Sequence, residues 1–119
     1  MIIAIPADEK KTDSGVCPSF GRTPCFLYYN TETKESHFMD NGAADSPGGA
    51  GIQAAQELVD GGAQAVLTPR CGENAGQVLK AAEIAVYKTV PGSVQHNVEE
   101  FLAGRLTELT AFHPGYHGL

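Results

Sequence analysis

The chain has 119 residues, 42% of them hydrophobic and 18% charged. That is enough apolar material for one domain around one core, and too much for a disordered chain. Eight basic against 14 acidic residues give a net charge of −6, which excludes the broad basic face required for nonspecific binding to nucleic acid or an anionic membrane.

Met1 to Pro6 is an apolar run that reads as a strand. It lacks the basic and long apolar regions of a secretory signal, and no stretch of the chain approaches membrane-spanning length, so a cytoplasmic protein is expected. A polar loop through Lys10, Lys11 and Asp13 leads to Arg22. Cys25 to Asn30 is an aromatic-rich strand, and the turn-forming Asn30 to Lys34 returns the chain into a strand over Glu35 to Asp40. A second loop, Asn41 to Gly51, contains Pro47-Gly48-Gly49-Ala50-Gly51. Beyond it Ile52, Ala55, Leu58 and Val59 recur at helical spacing, and Gly61-Gly62 supplies the stop.

Ala65 to Thr68 reads as a short buried strand, followed by the loop Pro69-Arg70-Cys71-Gly72. A helix with Ala75, Val78, Leu79 and Ala82 on one face comes next, then a strand over Ile84 to Tyr87. Ser93 caps a last helix whose apolar face is Val94, Val98, Phe101 and Leu102. Residues 1–110 are expected to form the single domain, with 111–119 as a flexible appendage. Antiparallel strands followed by strand–helix alternation imply an α/β fold, with helices packed on a mixed five-stranded sheet. Ligands of such sheets bind beyond the carboxyl ends of the strands, where two of the expected loops carry cysteines.

Cys17, Cys25 and Cys71 all fall in Gly/Pro-rich sequence, with Arg22 and Arg70 close by. A thiol beside a guanidinium is biased toward thiolate, the form that binds metals. Three such thiolates suit Fe–S species, Cu(I) or Zn, although the Cys17–Cys25 spacing matches neither zinc-finger nor ferredoxin patterns. An odd cysteine number argues against a disulfide framework. Arg22 and Arg70 are candidates to neutralise an anionic ligand. The Gly48-Gly49 loop opens a helix and offers amide N–H groups to an anion; it is not a P-loop, since no Gly-Lys-Ser/Thr follows. Each of these features has a plain structural alternative: a core cysteine, a surface arginine, a flexible glycine connection. Asp8, Asp40 and Asp45 are a rival set for divalent-metal chemistry.

The ordered motifs resemble a known family. Ser19-Phe20-Gly21-Arg22-Thr23-Pro24-Cys25-Phe26 is similar to the "HFGRAPYF"-type signature of the dinitrogenase iron–molybdenum cofactor biosynthesis family, which includes NifX and the C-terminal region of NifB. Ile3 to Pro6, Asn41, Pro47 to Gly51, Gly61 to Thr68 and Cys71-Gly72-Glu73-Asn74-Ala75 continue the resemblance along the chain. It implies a ribonuclease H-like, three-layer α/β/α fold. It also implies binding of Fe–S-type or mixed Mo/Fe/Cu–sulfide clusters, as in the family's orange Mo–Cu–sulfide protein. The implied rim consists of Cys17, Ser19, Arg22, Cys25, Asn41, Gly48, Gly49, Arg70, Cys71 and Gly72, with Cys17, Cys25 and Cys71 as metal ligands. The family histidine before Phe-Gly-Arg is Ser19 here, which leaves Cys17 and Cys25 as the nearby substitutes.

The expected function is therefore a non-enzymatic carrier, store or assembly factor for a metallocluster. It would work with cluster-donor or acceptor proteins and without nucleic acid or membrane; a homodimer would bring two cysteine sets together. The alternatives are a redox-sensing interaction module without stoichiometric metal, and a divalent-metal enzyme of the nuclease type.

Overall fold

A computed structural model of the chain describes residues 1–110 and residue 112. Strand β1 (Ile2–Ala7) is buried along nearly its whole length, as a strand covered on both faces must be. Its side chains alternate: Ile3, Ile5 and Ala7 enter one apolar cluster and Ala4 the other. On one side β1 pairs antiparallel with β2 (Cys25–Asn30), which pairs antiparallel with β3 (Ser36–Asp40). On the other side it pairs parallel with β4 (Ala65–Thr68), and β4 pairs parallel with β5 (Ala85–Lys88).

The sheet has six strands in the order β3-β2-β1-β4-β5-β6, where five were expected. The sixth, β6 (Thr107–Glu108), is two exposed residues antiparallel to the end of β5. So short a segment has no alternation to read, and only its pairing with Tyr87 and Lys88 defines it.

Three helices cover the two faces. Helix α1 (Ala50–Asp60) inserts Ala54, Ala55 and Leu58, and α2 (Glu73–Ala81) inserts Ala75 and Leu79, into one cluster with Phe26, Tyr28 and Val66. Helix α3 (Val94–Leu102) packs Val94 and Val98 on the opposite face, against Ile3, Ile5, Leu27 and Leu67. The layers are thus helix pair, sheet, single helix. Ser93 caps α3 as its sequence predicts, its Oγ accepting the His96 N–H at 3.0 Å. Most of the expected appendage, residues 111 and 113–119, lies outside the described residues. Phe112 packs on α2, where a Cβ on Gly76 would come within 3.0 Å of its ring.

Asn97 is the polar member of α3's inner face and is fully buried. Its Oδ1 accepts the Val90 N–H at 2.8 Å, and its Nδ2 donates to the Val90 and Ser93 carbonyls at 3.0 Å each. It therefore fixes the loop between β5 and α3. Asn97→Ala leaves those buried groups unpaired and is expected to cost roughly 2–4 kcal/mol, read as a lowered urea midpoint at unchanged m-value.

Candidate functional site

The parallel strands β1, β4 and β5 point the same way, as does β3, so the loops that follow them leave from one edge of the sheet. All three helices begin at this edge. Here the loop after β1 meets the start of α1 with almost no separation. A Cβ on Gly21 would lie 2.7 Å from the Gly51 nitrogen and 2.9 Å from its Cα, so only glycine allows the contact. Gly51 in turn faces α2, 3.5 Å from the Ala75 Cβ measured from a Cβ built on it. The Phe20–Arg22 loop and the first turns of α1 and α2 are thereby drawn together.

Buried Asn41 locks this meeting point. Its Nδ2 donates to the Gly21 and Thr23 carbonyls at 2.9 and 3.0 Å, and its Oδ1 accepts the Ala43 N–H at 3.0 Å. Asn41 is thus a clamp between two loops. Thr23, which the sequence did not single out, is fully buried, with its Oγ1 3.0 Å from the carbonyls of both Ala7 and Cys25. Its signal was only a hydroxyl before Pro24 at a strand start. Ser19 is exposed, and its Oγ accepts the Arg22 N–H at 3.2 Å. Arg22 is exposed too; its Nη1 donates to the Ala44 carbonyl at 3.0 Å and ties the first loop to the second.

Helices α1 and α2 both start on glycine. Gly49 takes a left-handed conformation, φ 70°, and Gly72 an extended one; neither end receives a side-chain cap. Gly48 and Gly49 are exposed. Arg70, just ahead of Gly72, is exposed, and among the described residues no hydrogen bond or ion pair engages its guanidinium. Two uncapped helix starts and two exposed arginines on one rim offer donors and positive charge to an anion, against which Glu73 stands in the first turn of α2.

The three cysteines do not meet in one metal site among the described residues. Cys25 packs with Ile3, Ile5 and Leu27 on the α3 face, its Sγ 3.4 Å from the Ala7 carbonyl. Cys71 is buried on the opposite face, under α1 and α2, its Sγ 3.5 Å from the Gly72 carbonyl. Cys17 is buried beside β1, donating its N–H to the Pro6 carbonyl at 3.0 Å. Among the described residues no group of three His, Cys, Asp or Glu side chains is placed to hold a metal ion. The Asp8, Asp40 and Asp45 set is likewise not assembled, and Asp40 pairs with Lys10 at 2.6 Å.

Neither Cys25 nor Cys71 is drawn toward thiolate. Burial pushes the Cys71 thiol up to about 12 from 9.0, and burial also raises Cys25. Cys17 follows Val16, which bridges Ala7 from one side of β1, while Cys25 pairs with Ala7 from the other. Both residues thus lie beside the end of β1, and after burial the charge of Cys17 is among the influences that raise the Cys25 thiol.

The fold and rim define an α/β domain with two uncapped helix starts and two exposed arginines at one edge, and with its thiols buried. The chain belongs to the dinitrogenase iron–molybdenum cofactor family, whose model matches residues 1–104. It is similar to the apo form of the orange protein from Desulfovibrio gigas, with 35% identity, 92% of this chain and 93% of that one covered, and a TM-score of 0.87. A provisionally assigned NifB protein from Thermotoga shares 37% identity over 93% of this chain and 95% of its own, with a TM-score of 0.82. An uncharacterised protein of Methanocaldococcus jannaschii is 30% identical over 109 residues, 89% of each chain.

Two outcomes follow. Gly21→Ala forces backbone against backbone and is expected to destabilise the protein by about 1–3 kcal/mol in urea titrations. Cys71 contributes stability that is intact below pH 9.0 and erodes as pH rises toward about 12, because the unfolded thiol ionises first. The pH dependence of the urea midpoint above pH 9.0 is therefore expected to be shallower in Cys71→Ala than in the parent protein.

Proposed function

We propose that the protein carries, stores or helps assemble an anionic metal–sulfide cluster, seated on the rim as cargo. The observation that carries this reading is the junction of Gly21, Gly51 and Ala75, which draws two uncapped helix starts to one place. Amide N–H groups at Gly48, Gly49 and Gly72, with the Arg22 and Arg70 guanidinium groups, offer hydrogen-bond donors and positive charge to sulfide-rich anions. Family membership supports the class of cargo, and the apo description of the orange protein fits a removable guest.

In this reading Cys17, Cys25 and Cys71 make no bond to metal in the resting fold. Burial raises the Cys25 and Cys71 thiols, which makes them poor ligands, and no group of three ligands is gathered among the described residues. The expected thiolate ligation is replaced by seating through amides and guanidinium groups. The sheet order supports the ribonuclease H-like assignment, and the acidic charge supports partners that are proteins, with cluster donors and acceptors as their class. No helix among the described residues is long and apolar enough to cross a membrane; family membership supports the cytoplasm as the place of this proposed role.

Anaerobic incubation with tetrathiomolybdate, alone or with Cu(I), and separately with Fe(II) and sulfide, followed by desalting, tests the reading. Retained visible colour with stoichiometric metal is expected from at least one mixture. Arg70→Glu is expected to weaken retention by about tenfold or more, given the worth of a charge-assisted contact, and Cys71→Ser to keep the colour. Protein that stays colourless in every mixture, or colour that follows the cysteines and ignores Arg70, overturns the proposal.

A further inference from the structure

Strand β3 lies at the edge of the sheet, so one side of its backbone has no strand partner among the described residues. Its side chains divide between the two faces. Phe38 packs into the α3-side core, but neither His37 nor Met39 joins the α1/α2-side core. They line a groove of about 340 Å³ between β2, β3 and the end of α1. Met39 is 51% exposed, and the His37 ring stacks on Tyr28, centroids 5.4 Å apart and planes 6° from parallel.

The groove wall is acidic. Glu57 accepts the Gly42 N–H through Oε1 at 3.2 Å, and Asp60 accepts the Gln56 amide through Oδ1 at 3.0 Å. Each leaves its second oxygen without a hydrogen bond among the described residues. Asp40 stands at the strand end with Lys10 as its counter-ion. The site therefore combines an open hydrogen-bonding edge, an aromatic and thioether floor, and carboxylates along one wall.

We propose that the β3 edge and this groove dock an extended basic segment of a partner protein. The segment adds to the sheet beside β3 through main-chain hydrogen bonds. One of its arginine or lysine side chains lies across the Tyr28–His37 pair and reaches Glu57 and Asp60, joining ring contact to charge pairing. A second copy of this chain fits poorly, because it would bring a net charge of −6 and its own acidic wall to the same place. The groove is distinct from the Gly21–Gly51 junction, so this docking does not depend on cluster binding.

A short capped peptide of alternating arginine and valine, titrated into the full-length protein and followed by amide NMR, tests the proposal. Saturable shifts confined to residues 36–40 and 57–61 are expected, weakening as salt rises. The Glu57→Gln/Asp60→Asn double variant keeps one acceptor oxygen at each position and is expected to bind about tenfold more weakly, as loss of two part-exposed charge pairs does. A glutamate–valine peptide of the same length is expected not to bind. The proposal is overturned by an absence of saturable shifts or by equal binding of the acidic peptide. It is also overturned by shifts centred on residues 19–22 and 48–51, or by sedimentation showing β3 occupied by a second copy. The peptide-charge and salt arms decide the matter even where the double variant fails to fold.

Discussion

The contact of the Gly21 backbone with Gly51 is the constraint on which the functional edge of the protein depends. It lets a loop from β1 lie directly on the first turn of α1, and Asn41 holds it there with hydrogen bonds to the carbonyls of Gly21 and Thr23. Helix α1 then meets α2 through Gly51 and Ala75. Three chain segments far apart in sequence are positioned by one close approach, and the positions of two helix starts follow from it. Neither of those helices carries a capping side chain, whereas α3, on the other face, has Ser93.

The electrostatics of the rim combine two bare helix starts and two exposed arginines with the acidic Glu73 in the first turn of α2, while the thiols serve the core. Burial among apolar side chains favours the neutral thiol, and a guanidinium in solvent screens too weakly to reverse that. Cys25 and Cys71 accordingly behave as small hydrophobes on opposite faces of the sheet. This division separates a rim rich in exposed donors from an interior that would be damaged by charge.

Much of the architecture was legible in the chain. The boundaries of β2 and β4 coincide with the runs Cys25 to Asn30 and Ala65 to Thr68, and Ser93 announced the start of α3. Alternation and helical spacing report which residues face a core, because burial imposes those periods. The thiol environment was not legible. Gly and Pro around Cys71 identify a loop correctly, but only tertiary packing tucks that loop beneath α1 and α2. Asn97 and Thr23 escaped notice for the same reason: a polar side chain that satisfies distant backbone groups has no local pattern. Strand β6 depended wholly on its pairing partner. Asn41 and Arg22 were found from sequence, yet their hydrogen bonds give them work within the scaffold that the motif alone did not reveal.

The capped start of α3 gives the rim a directionality. Ser93 occupies a donor that α1 and α2 leave bare, so under the proposed function a guest drawn to amide hydrogens would settle toward the helix-pair layer and would find no equivalent seat at the start of α3. Such a guest would be held from one flank. A one-sided seat of this kind would favour release to another molecule over permanent enclosure, since a receiver could take hold of the free flank before the first grip is relinquished.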